Sequence, residues 1–233
     1  MKTLGLIGGT SWVSTVEYYR LINQQVNKRL GGLNSAKILL YSVNQEENQP
    51  SSDPDKARKA AEFLADIARR LEKAGAECLV ICANTSHMVA DSVQEKIHIP
   101  LIHIADVTAK IIIDKKISTV GLLGTKPTME LSFYKERLAK FGIMALTPDE
   151  KEREFINFSI FDELDKGIIK ESTKKKFLDI IDDLVRRGAE GIILGCTEIP
   201  LLIKQSDCGV PVFDTTEIHA TAAAEFALSD KNK

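Results

Sequence analysis

The amino-acid sequence predicts an α/β protein made of two pseudo-symmetric domains, each a mainly parallel β-sheet flanked by helices. The first indication is the alternation of short apolar runs with longer amphipathic segments along the whole chain of 233 residues, which is typical of parallel strands joined by helical crossovers. The second is an internal repeat. The segment "LGLIGGT" at 4–10 is echoed by "VGLLGT" at 120–125, and "AGAECLVICANTSH" at 74–87 by "RGAEGIILGCTEIP" at 187–200. A duplicated fold predicts that matching loops converge on one cleft, which would hold the active site.

The predicted strands are short runs of isoleucine, valine and leucine. Because these runs are uninterrupted rather than alternating with polar residues, they are typical of strands that helices cover on both faces. In chain order the predicted strands are 3–7, 37–42, 78–82, 101–103, 119–123, 144–146, 191–194 and 212–213.

The segments between these strands have the apolar spacing of amphipathic helices. The predicted helices are 14–29, 55–74, 86–95, 104–114, 129–141, 157–167, 173–187 and 217–228. Gly75 and Gly188 each follow a helix and precede a strand, a position that glycine favours after the last helical turn. The first half is expected to comprise residues 1–104 together with 210–233, and the second half residues 105–209.

Composition excludes several classes of function. The net charge of −2 provides no basic field for nucleic acid or anionic lipid, and no apolar stretch approaches the ~20 residues that span a bilayer. Neither nucleic acid nor a membrane is therefore expected as a partner. Four cysteines without CxxC spacing indicate a reduced, cytoplasmic protein rather than a disulfide framework. The histidines lack metal-ligand spacing, so no metal is expected.

Small polar residues follow four of the predicted strands. In open α/β sheets, ligands bind beyond the carboxyl ends of the strands, and here these ends carry the turns 8–11, 83–86, 124–125 and 196–198. Glycine lets backbone amides approach a ligand, and asparagine and threonine add short hydrogen-bonding groups. Where such a turn opens a helix, its free N–H groups favour an anion. The expected ligand is small and carries at least one carboxylate.

Nucleotide sites are not indicated, because the chain has neither a GxGxxG fingerprint nor a GxxxxGK[ST] motif. The candidate functional thiol is Cys196, since Gly195 and Thr197 flank it in a predicted strand-end turn. That setting is expected to lower its pKa toward neutral pH. The remaining cysteines are expected to be structural: Cys78, Cys82 and Cys208.

Several of these segments are similar to the aspartate/glutamate racemase family: "GLIGGTSW", "AGAECLVICANTSH", "GLLGTKPTME", "GAEGIILGCTEI" and "VFDTTEIHA". The resemblance covers almost the entire chain. It implies racemisation of a small dicarboxylic amino acid, aspartate or glutamate, without a cofactor, and a homodimeric assembly. One base removes the α-proton from one face of the substrate, and a second base returns a proton to the other face. The family uses two cysteines, or a cysteine and a threonine.

The resemblance also assigns roles to residues of this chain. Cys196 matches one catalytic base, and Ala83 stands at the position of the other. Lys166, in "DELDKG", resembles a basic residue that holds the side-chain carboxylate in some members, with a solvated lysine as an equal alternative. Ser52 is a further candidate for substrate contact. The residues that match substrate-binding positions are Thr10, Asn84, Thr85, Thr125, Thr197 and Glu198.

Two departures from the family pattern bear on function. The methyl group of Ala83 carries no exchangeable proton, so the chain lacks one base. Either the base was removed by an engineered substitution or the natural protein is not a two-base racemase; the intact remainder of the pattern favours the first explanation. The second departure is the segment 44–49, which has no arginine, whereas some aspartate-specific members place a basic residue there.

Two other functions remain open at this stage. A lyase or isomerase of the arylmalonate decarboxylase type keeps only the second cysteine, which protonates the enediolate left by loss of carbon dioxide. A non-catalytic protein that binds a small acid would use the same turns and leave Cys196 as a packing residue. An apolar lining of the cleft would distinguish the lyase from a racemase. Slow alkylation of Cys196 would indicate the binding protein.

Overall fold

The computed structural model describes residues 1–47 and 53–229. They form two compact units: residues 1–104 together with the chain from Thr216 onward, and Ala105–Thr215. The return to the first unit was expected at residue 210 and comes at Thr216 instead. The reason is that the strand Val212–Asp214 pairs with a strand of the second unit, so it belongs to that sheet.

The strands lie where the apolar runs predict them. They are β1 (Thr3–Gly8), β2 (Lys37–Ser42), β3 (Cys78–Ile81), β4 (Thr119–Gly124), β5 (Met144–Leu146), β6 (Ile192–Gly195) and β7 (Val212–Asp214). The predicted strand at 101–103 is wrong: Leu101 makes only an isolated bridge with Leu79. Pro100 has no N–H for a ladder, and a helix already begins at Ile104.

The helices are α1 (Trp12–Leu30), α2 (Pro54–Lys73), α3 (Ala90–Gln94), α4 (Ile104–Asp114), α5 (Lys126–Glu130), α6 (Ser132–Ala139), α7 (Glu150–Asp162), α8 (Glu171–Arg186), α9 (Ile199–Leu202) and α10 (Thr215–Leu228). Short 3₁₀ turns occupy Gln45–Glu47, Thr85–Val89, Leu164–Lys166 and Gln205–Asp207. No helix in the described part of the chain is both long and apolar enough to cross a membrane.

The predicted helices differ from the observed ones mainly at their ends. The helix expected from residue 157 begins at Glu150, because Asp149 and Glu152 form a reciprocal capping box there. The segment 129–141 is divided by Leu131, whose extended backbone (ψ 154°) separates α5 from α6. The segment 86–95 is divided into a 3₁₀ turn and α3, and α9 was not predicted.

The first unit is built on a three-stranded parallel sheet in the order β2-β1-β3. Its two faces are packed by different residues of the same strands, as the two-residue period of a strand requires. Leu6 and Val80 pack with the buried face of α1 and the alanines of α10, whereas Ile7, Leu79 and Ile81 pack with α2 and α3. The predicted two-sided burial is confirmed for β1 and β3. It is wrong for β2, a strand at the edge of the sheet with no fully buried residue.

The second unit contains a four-stranded parallel sheet in the order β5-β4-β6-β7. Its largest described cluster of buried apolar side chains joins β4 and β6 to α7 and α8, and includes Leu123, Ile192, Leu194, Ile156 and Phe177. Because β4 and β6 are adjacent and parallel, their carboxyl ends lie side by side. The same holds for β1 and β3 in the first unit. Each unit therefore brings two of the four polar turns together.

Candidate functional site

In the first unit, the turn after β1 is fixed to its neighbours by backbone and hydroxyl groups. Gly9 has a positive φ of 87°, and a Cβ there would come within 2.1 Å of the Val43 carbonyl oxygen, so glycine is required. The Gly9 N–H donates to Thr15 Oγ1 at 2.8 Å, and Ser14 Oγ donates to the Cys82 carbonyl at 2.8 Å. The start of α1 thus ties this turn to the end of β3.

Two hydroxyls in these neighbouring turns are buried without a hydrogen-bond partner among the residues that the structure describes. They are Thr10 Oγ1 and Ser86 Oγ, in side chains that are 8% and 2% exposed. A buried polar group that lacks a partner costs about 1–3 kcal/mol, so both hydroxyls are suited to a polar ligand. Ser86 was not singled out from the sequence, although it lies in the turn that was. Asn84 is buried and Thr85 half-buried in the same turn.

Ala83 is half-buried and is the second residue after the end of β3. Its backbone N–H donates to the Ile81 carbonyl at 2.9 Å, and its carbonyl oxygen is 2.8 Å from His87 Nδ1. A carbonyl oxygen can only accept, so His87 carries its proton on Nδ1 and donates it. His87 Nε2 accepts from the Ile104 N–H at 3.3 Å. His87 is therefore neutral, and both of its nitrogens are occupied.

His219, in α10, also has hydrogen bonds at both of its ring nitrogens. Its Nε2 donates to the Ile102 carbonyl at 2.7 Å, and its Nδ1 accepts from the Tyr18 hydroxyl at 2.8 Å. Burial lowers the pKa of His219 to about 3, with the neighbouring His87 as a second cause. His103 packs its ring 4.7 Å from that of His87. Since His87 and His219 each use both ring nitrogens, neither of them replaces a base at position 83.

In the second unit, Cys196 follows β6 at a point where two backbones come close together. A Cβ at Gly195 would lie 2.8 Å from the Leu123 carbonyl oxygen, so glycine allows β6 to end tightly against β4. The Cys196 side chain is 9% exposed. Its Sγ donates to Glu198 Oε2 at 3.0 Å, and Thr197 Oγ1 donates to the same oxygen at 2.6 Å. The side chains of Cys196 and Thr197 therefore both donate to one carboxylate oxygen of Glu198.

Asp165 completes this group, and no sequence pattern singles it out beyond its place before Lys166. Burial first, and then the charge and hydrogen bonding of Glu198, raise the pKa of Asp165 to about 7. A hydrogen bond between two carboxyl groups requires a proton on one of them. Because Glu198 Oε2 already accepts from two donors, we assign the proton to Asp165 and the negative charge to Glu198.

The Cys196 thiol is protonated in this environment. Burial raises its pKa well above the ordinary value, and the negative charge of Glu198 is the second cause. The expectation that the strand-end turn lowers the pKa of this thiol is wrong, because an adjacent carboxylate and the loss of solvent outweigh any favourable backbone dipoles. Cys82, in contrast, lies fully buried among the apolar side chains that cover β1 and β3, and its predicted structural role is confirmed.

The remaining predicted residues are distributed around these turns. Thr125 is buried after β4, with its Oγ1 3.1 Å from Thr128 Oγ1. Lys166 is exposed, and its Nζ donates to Asp162 Oδ1 at 3.1 Å. Ser52 lies outside the described residues. Within residues 1–47 and 53–229, no three histidine, cysteine, aspartate or glutamate side chains are grouped as ligands for a metal ion.

Several solved structures are similar to this chain. A candidate Asp/Glu racemase from Yersinia pestis is 50% identical, with a TM-score of 0.93 over 98% of this chain and 100% of its own. An aspartate racemase homologue from Pyrococcus horikoshii OT3 is 37% identical, with a TM-score of 0.87 over 98% and 100%. A glutamate racemase from Bacillus anthracis, 18% identical, has the same fold with a TM-score of 0.71 over 97% and 81%.

Sequence comparison gives a consistent result. A broad specificity amino-acid racemase from Bacillus subtilis is 22% identical over 97% of this chain and 98% of its own length. The family model for Asp/Glu/hydantoin racemases matches residues 7–223. This chain belongs to the Asp/Glu/hydantoin racemase family.

Proposed function

We propose that this chain transfers protons at the α-carbon of a small acidic amino acid, aspartate or glutamate, without a cofactor, and that Cys196 is its acid/base group. The observation that carries the proposal is the contact of the buried Cys196 thiol with Glu198 at the end of β6. In a family of racemases, such a thiol is the group best placed to exchange a proton with substrate.

Removal of the α-proton leaves a carbanion, and the α-proton of an amino acid is a very weak acid. In the proposed reaction the protein itself stabilises this carbanion, without the electron sink that pyridoxal phosphate provides. Hydrogen-bond donors that face the substrate carboxylate stabilise the enediolate as it forms. The buried hydroxyls of Thr10 and Ser86 are the donors that we assign to this role. Asn84 and Thr85, in the turn of Ser86, are assigned to the same carboxylate.

Racemisation by this chain is proposed to be impaired. Inversion needs an acid/base group for each face of the α-carbon, and position 83 offers a methyl group. His87 and His219 do not compensate, because the ring nitrogens of both are engaged in hydrogen bonds. Cys196 alone would remove the proton of one enantiomer and return a proton to the same face.

Restoring a proton-bearing group at position 83 tests this proposal. Ala83→Cys and Ala83→Thr should racemise aspartate or glutamate, whereas the unaltered chain should not. Ala83→Val is the matched control, because valine has the shape of threonine without its hydroxyl. Chiral chromatography of the amino acid after incubation gives the result. Racemisation by the unaltered chain, or by Ala83→Val as fast as by Ala83→Thr, would contradict the role assigned to position 83.

One observation favours a second candidate. A single thiol held in its protonated form is also what a lyase of the arylmalonate decarboxylase type needs, because its cysteine delivers a proton to an enediolate after decarboxylation. Incubation with an α-aryl-α-methylmalonate tests this reaction directly. Release of carbon dioxide with formation of one product enantiomer would replace the racemase proposal. A chain that performs neither reaction would be left as a binding protein.

The homodimer implied by the family resemblance is also a proposal. Helix α1 exposes Trp12, Val16 and Tyr19, which are spaced at i, i+4 and i+7 and therefore lie on one face of the helix. This apolar row is the surface that we assign to the contact between subunits. Sedimentation of the protein should give a dimer, and Trp12→Ser should shift the equilibrium toward monomer; a monomeric unaltered protein would overturn this assignment.

A further inference from the structure

Three successive backbone carbonyls after β3 are each bound by a donor of the first unit. Ser14 Oγ donates to the Cys82 carbonyl at 2.8 Å. His87 donates twice: its Nδ1–H binds the Ala83 carbonyl at 2.8 Å, and its backbone N–H binds the Asn84 carbonyl at 3.0 Å. A single residue, His87, therefore holds two of these carbonyls, one through its ring and one through its main chain.

These hydrogen bonds set the direction of the amides that follow. A trans peptide unit is planar, so its N–H points away from its carbonyl, and the described residues contain no cis peptide bond. The N–H groups of Asn84 and Thr85 therefore point away from the donors of His87, while the carbonyl oxygens point toward them. Such a turn presents N–H donors rather than negative oxygens to a ligand on the other side, which suits a carboxylate.

The same turn carries the buried hydroxyl of Ser86, the residue before His87. Ser86 is 2% exposed, and its Oγ has no partner among the residues that the structure describes. Its place is fixed by the 3₁₀ turn Thr85–Val89, which follows the bond from the His87 N–H to the Asn84 carbonyl. A buried hydroxyl without a partner is a second indication of a polar ligand at this turn, independent of the direction of the amides.

The His87 ring is itself held in one tautomer and one orientation. The N–H of Ile104, the first residue of α4, donates to Nε2 at 3.3 Å. The ring proton is therefore on Nδ1, where the Ala83 carbonyl accepts it, since the bond at one nitrogen decides the state of the other. The rings of His103 and His219 pack edge-on against it at 4.7 and 5.4 Å. The side chain is 2% exposed, so water does not compete for either nitrogen.

We propose that His87 is a positioning residue: its ring keeps the turn 83–86 in the conformation that receives the substrate carboxylate, and the Ile104 amide selects the tautomer that does so. This role rests on the proposed function in one respect, namely that the turn after β3 binds that carboxylate. His87 neither gives a proton to the substrate nor takes one from it, because both of its ring nitrogens are engaged.

A purely structural role would be to join this turn to the start of α4, and a matched pair of variants separates the two roles. Asparagine has its amide near the place of Nδ1, so His87→Asn keeps a donor for the Ala83 carbonyl and loses the acceptor for Ile104. Glutamine has its amide near the place of Nε2, so His87→Gln keeps the acceptor and loses the donor. Each variant loses one hydrogen bond of the buried ring, so both should lower the urea midpoint to a similar extent.

Incorporation of solvent deuterium at the α-carbon of aspartate and glutamate, followed by NMR, measures the positioning. His87→Gln should lower kcat/KM for exchange by about 10²-fold, the loss expected when a group that acts on the transition state is misplaced by about 1 Å. His87→Asn should remain within about tenfold of the unaltered chain. His98, whose side chain is 98% exposed, provides the controls: His98→Asn and His98→Gln should both exchange as fast as the unaltered chain.

The tautomer is measured independently of activity by long-range ¹H–¹⁵N correlation NMR of protein labelled at histidine. The signals of His87 are assigned by their absence in His87→Asn. At neutral pH the ring of the unaltered chain should carry its proton on Nδ1, with Nε2 unprotonated. A proton on Nε2 would overturn the proposal, because the ring would then have no donor for the Ala83 carbonyl.

The order of the two variants distinguishes positioning from a structural contact. Exchange in His87→Gln that equals or exceeds that in His87→Asn would overturn the proposal, because loss of the donor to the turn would then have no specific effect. Absence of deuterium incorporation by the unaltered chain would overturn the proposed function instead. Calorimetric titration with L- and D-aspartate would then still decide the role of His87: weaker binding by His87→Gln than by His87→Asn supports it, whereas equal binding, or none by the unaltered chain, overturns it.

Discussion

The turn after β3 and the turn after β6 follow matching strands of the two units, yet they are stabilised by different chemistry. After β3, the Ala83 carbonyl accepts a hydrogen bond from a neutral imidazole. After β6, the Cys196 thiol and the Thr197 hydroxyl both donate to the carboxylate of Glu198. The turn after β3 is fixed by neutral groups, whereas the turn after β6 contains two donors and an acidic acceptor. The two units thus share the arrangement of their strand ends but differ in the hydrogen-bonding groups that follow those strands.

The largest expected effect is loss of the thiol from the second turn. Cys196→Ala should reduce α-proton exchange by about 10²-fold or more, because removal of a general acid/base costs 10²–10⁴-fold. Cys208→Ala is the control, since Cys208 is only partly buried and follows a different turn, Gln205–Asp207. Deuterium incorporation measures both variants. Exchange that survives in Cys196→Ala would show that another group carries the proton.

The next largest effect is expected on stability, from substitution of Gly195, the last residue of β6. Gly195→Ala places a Cβ 2.8 Å from the Leu123 carbonyl oxygen, whereas a Cβ at Gly209 meets no atom within 4 Å. Overpacking costs typically 1–3 kcal/mol, so Gly195→Ala should lower the free energy of unfolding by about this amount, and Gly209→Ala by far less. Urea denaturation gives both values. Equal effects of the two substitutions would mean that the ends of β4 and β6 are packed less closely than in the structure.

The two units should also respond to pH in opposite directions, through His219 in the first and Asp165 in the second. His219, with its pKa lowered to about 3, is neutral in the folded protein but takes a proton in the unfolded chain below about pH 6.5. Stability is therefore lost as pH falls from about 6.5 toward 3, by up to about 1.4 kcal/mol per pH unit. Asp165, with its pKa raised to about 7, binds a proton more tightly when folded, so stability is lost as pH rises from about 4 to about 7.

The partial exposure of Asp165 reduces its effect to the order of a few tenths of a kcal/mol per pH unit. The free energy of unfolding measured between about pH 4 and pH 8 should become flatter on the acid side in His219→Gln, and flatter toward neutral pH in Asp165→Asn. If Asp165→Asn left the profile unchanged, the proton that we assign to Asp165 would be absent.

The smallest effect is expected at Lys166. Its ion pair with Asp162 is exposed, and pairs of this kind contribute about 0.3–0.5 kcal/mol. Lys166→Gln should therefore change the free energy of unfolding by less than about half a kcal/mol, with deuterium exchange unaffected. A marked rise in KM for exchange would instead support the role in substrate binding that the family resemblance assigns to it.

Most of the fold could be predicted from the sequence, because strands buried on both faces leave a simple apolar signal. The failures have local causes. Leu101 lies after Pro100 and before a helix, so its apolar run makes only a bridge. The start of α7 depends on the Asp149 capping box rather than on apolar spacing.

The candidate site was predictable only in part. The sequence placed Cys196, Thr197 and Glu198 in one turn, but it could not show that the carboxylate faces the thiol. Asp165 belongs to a different segment of the chain, and its contact with Glu198 arises only on folding. The direction of the Cys196 pKa shift was wrong for the same reason, because burial and charge depend on residues that are distant in sequence.

The most direct test of the account is proton NMR of L- and D-aspartate and of L- and D-glutamate in deuterated buffer with the unaltered chain. A single acid/base thiol with no base at position 83 predicts exchange of the α-proton of one enantiomer, with its configuration retained. Exchange accompanied by inversion would contradict the assignment of Ala83 as the missing base. Absence of exchange with all four amino acids would contradict the proton-transfer role of Cys196 on these substrates.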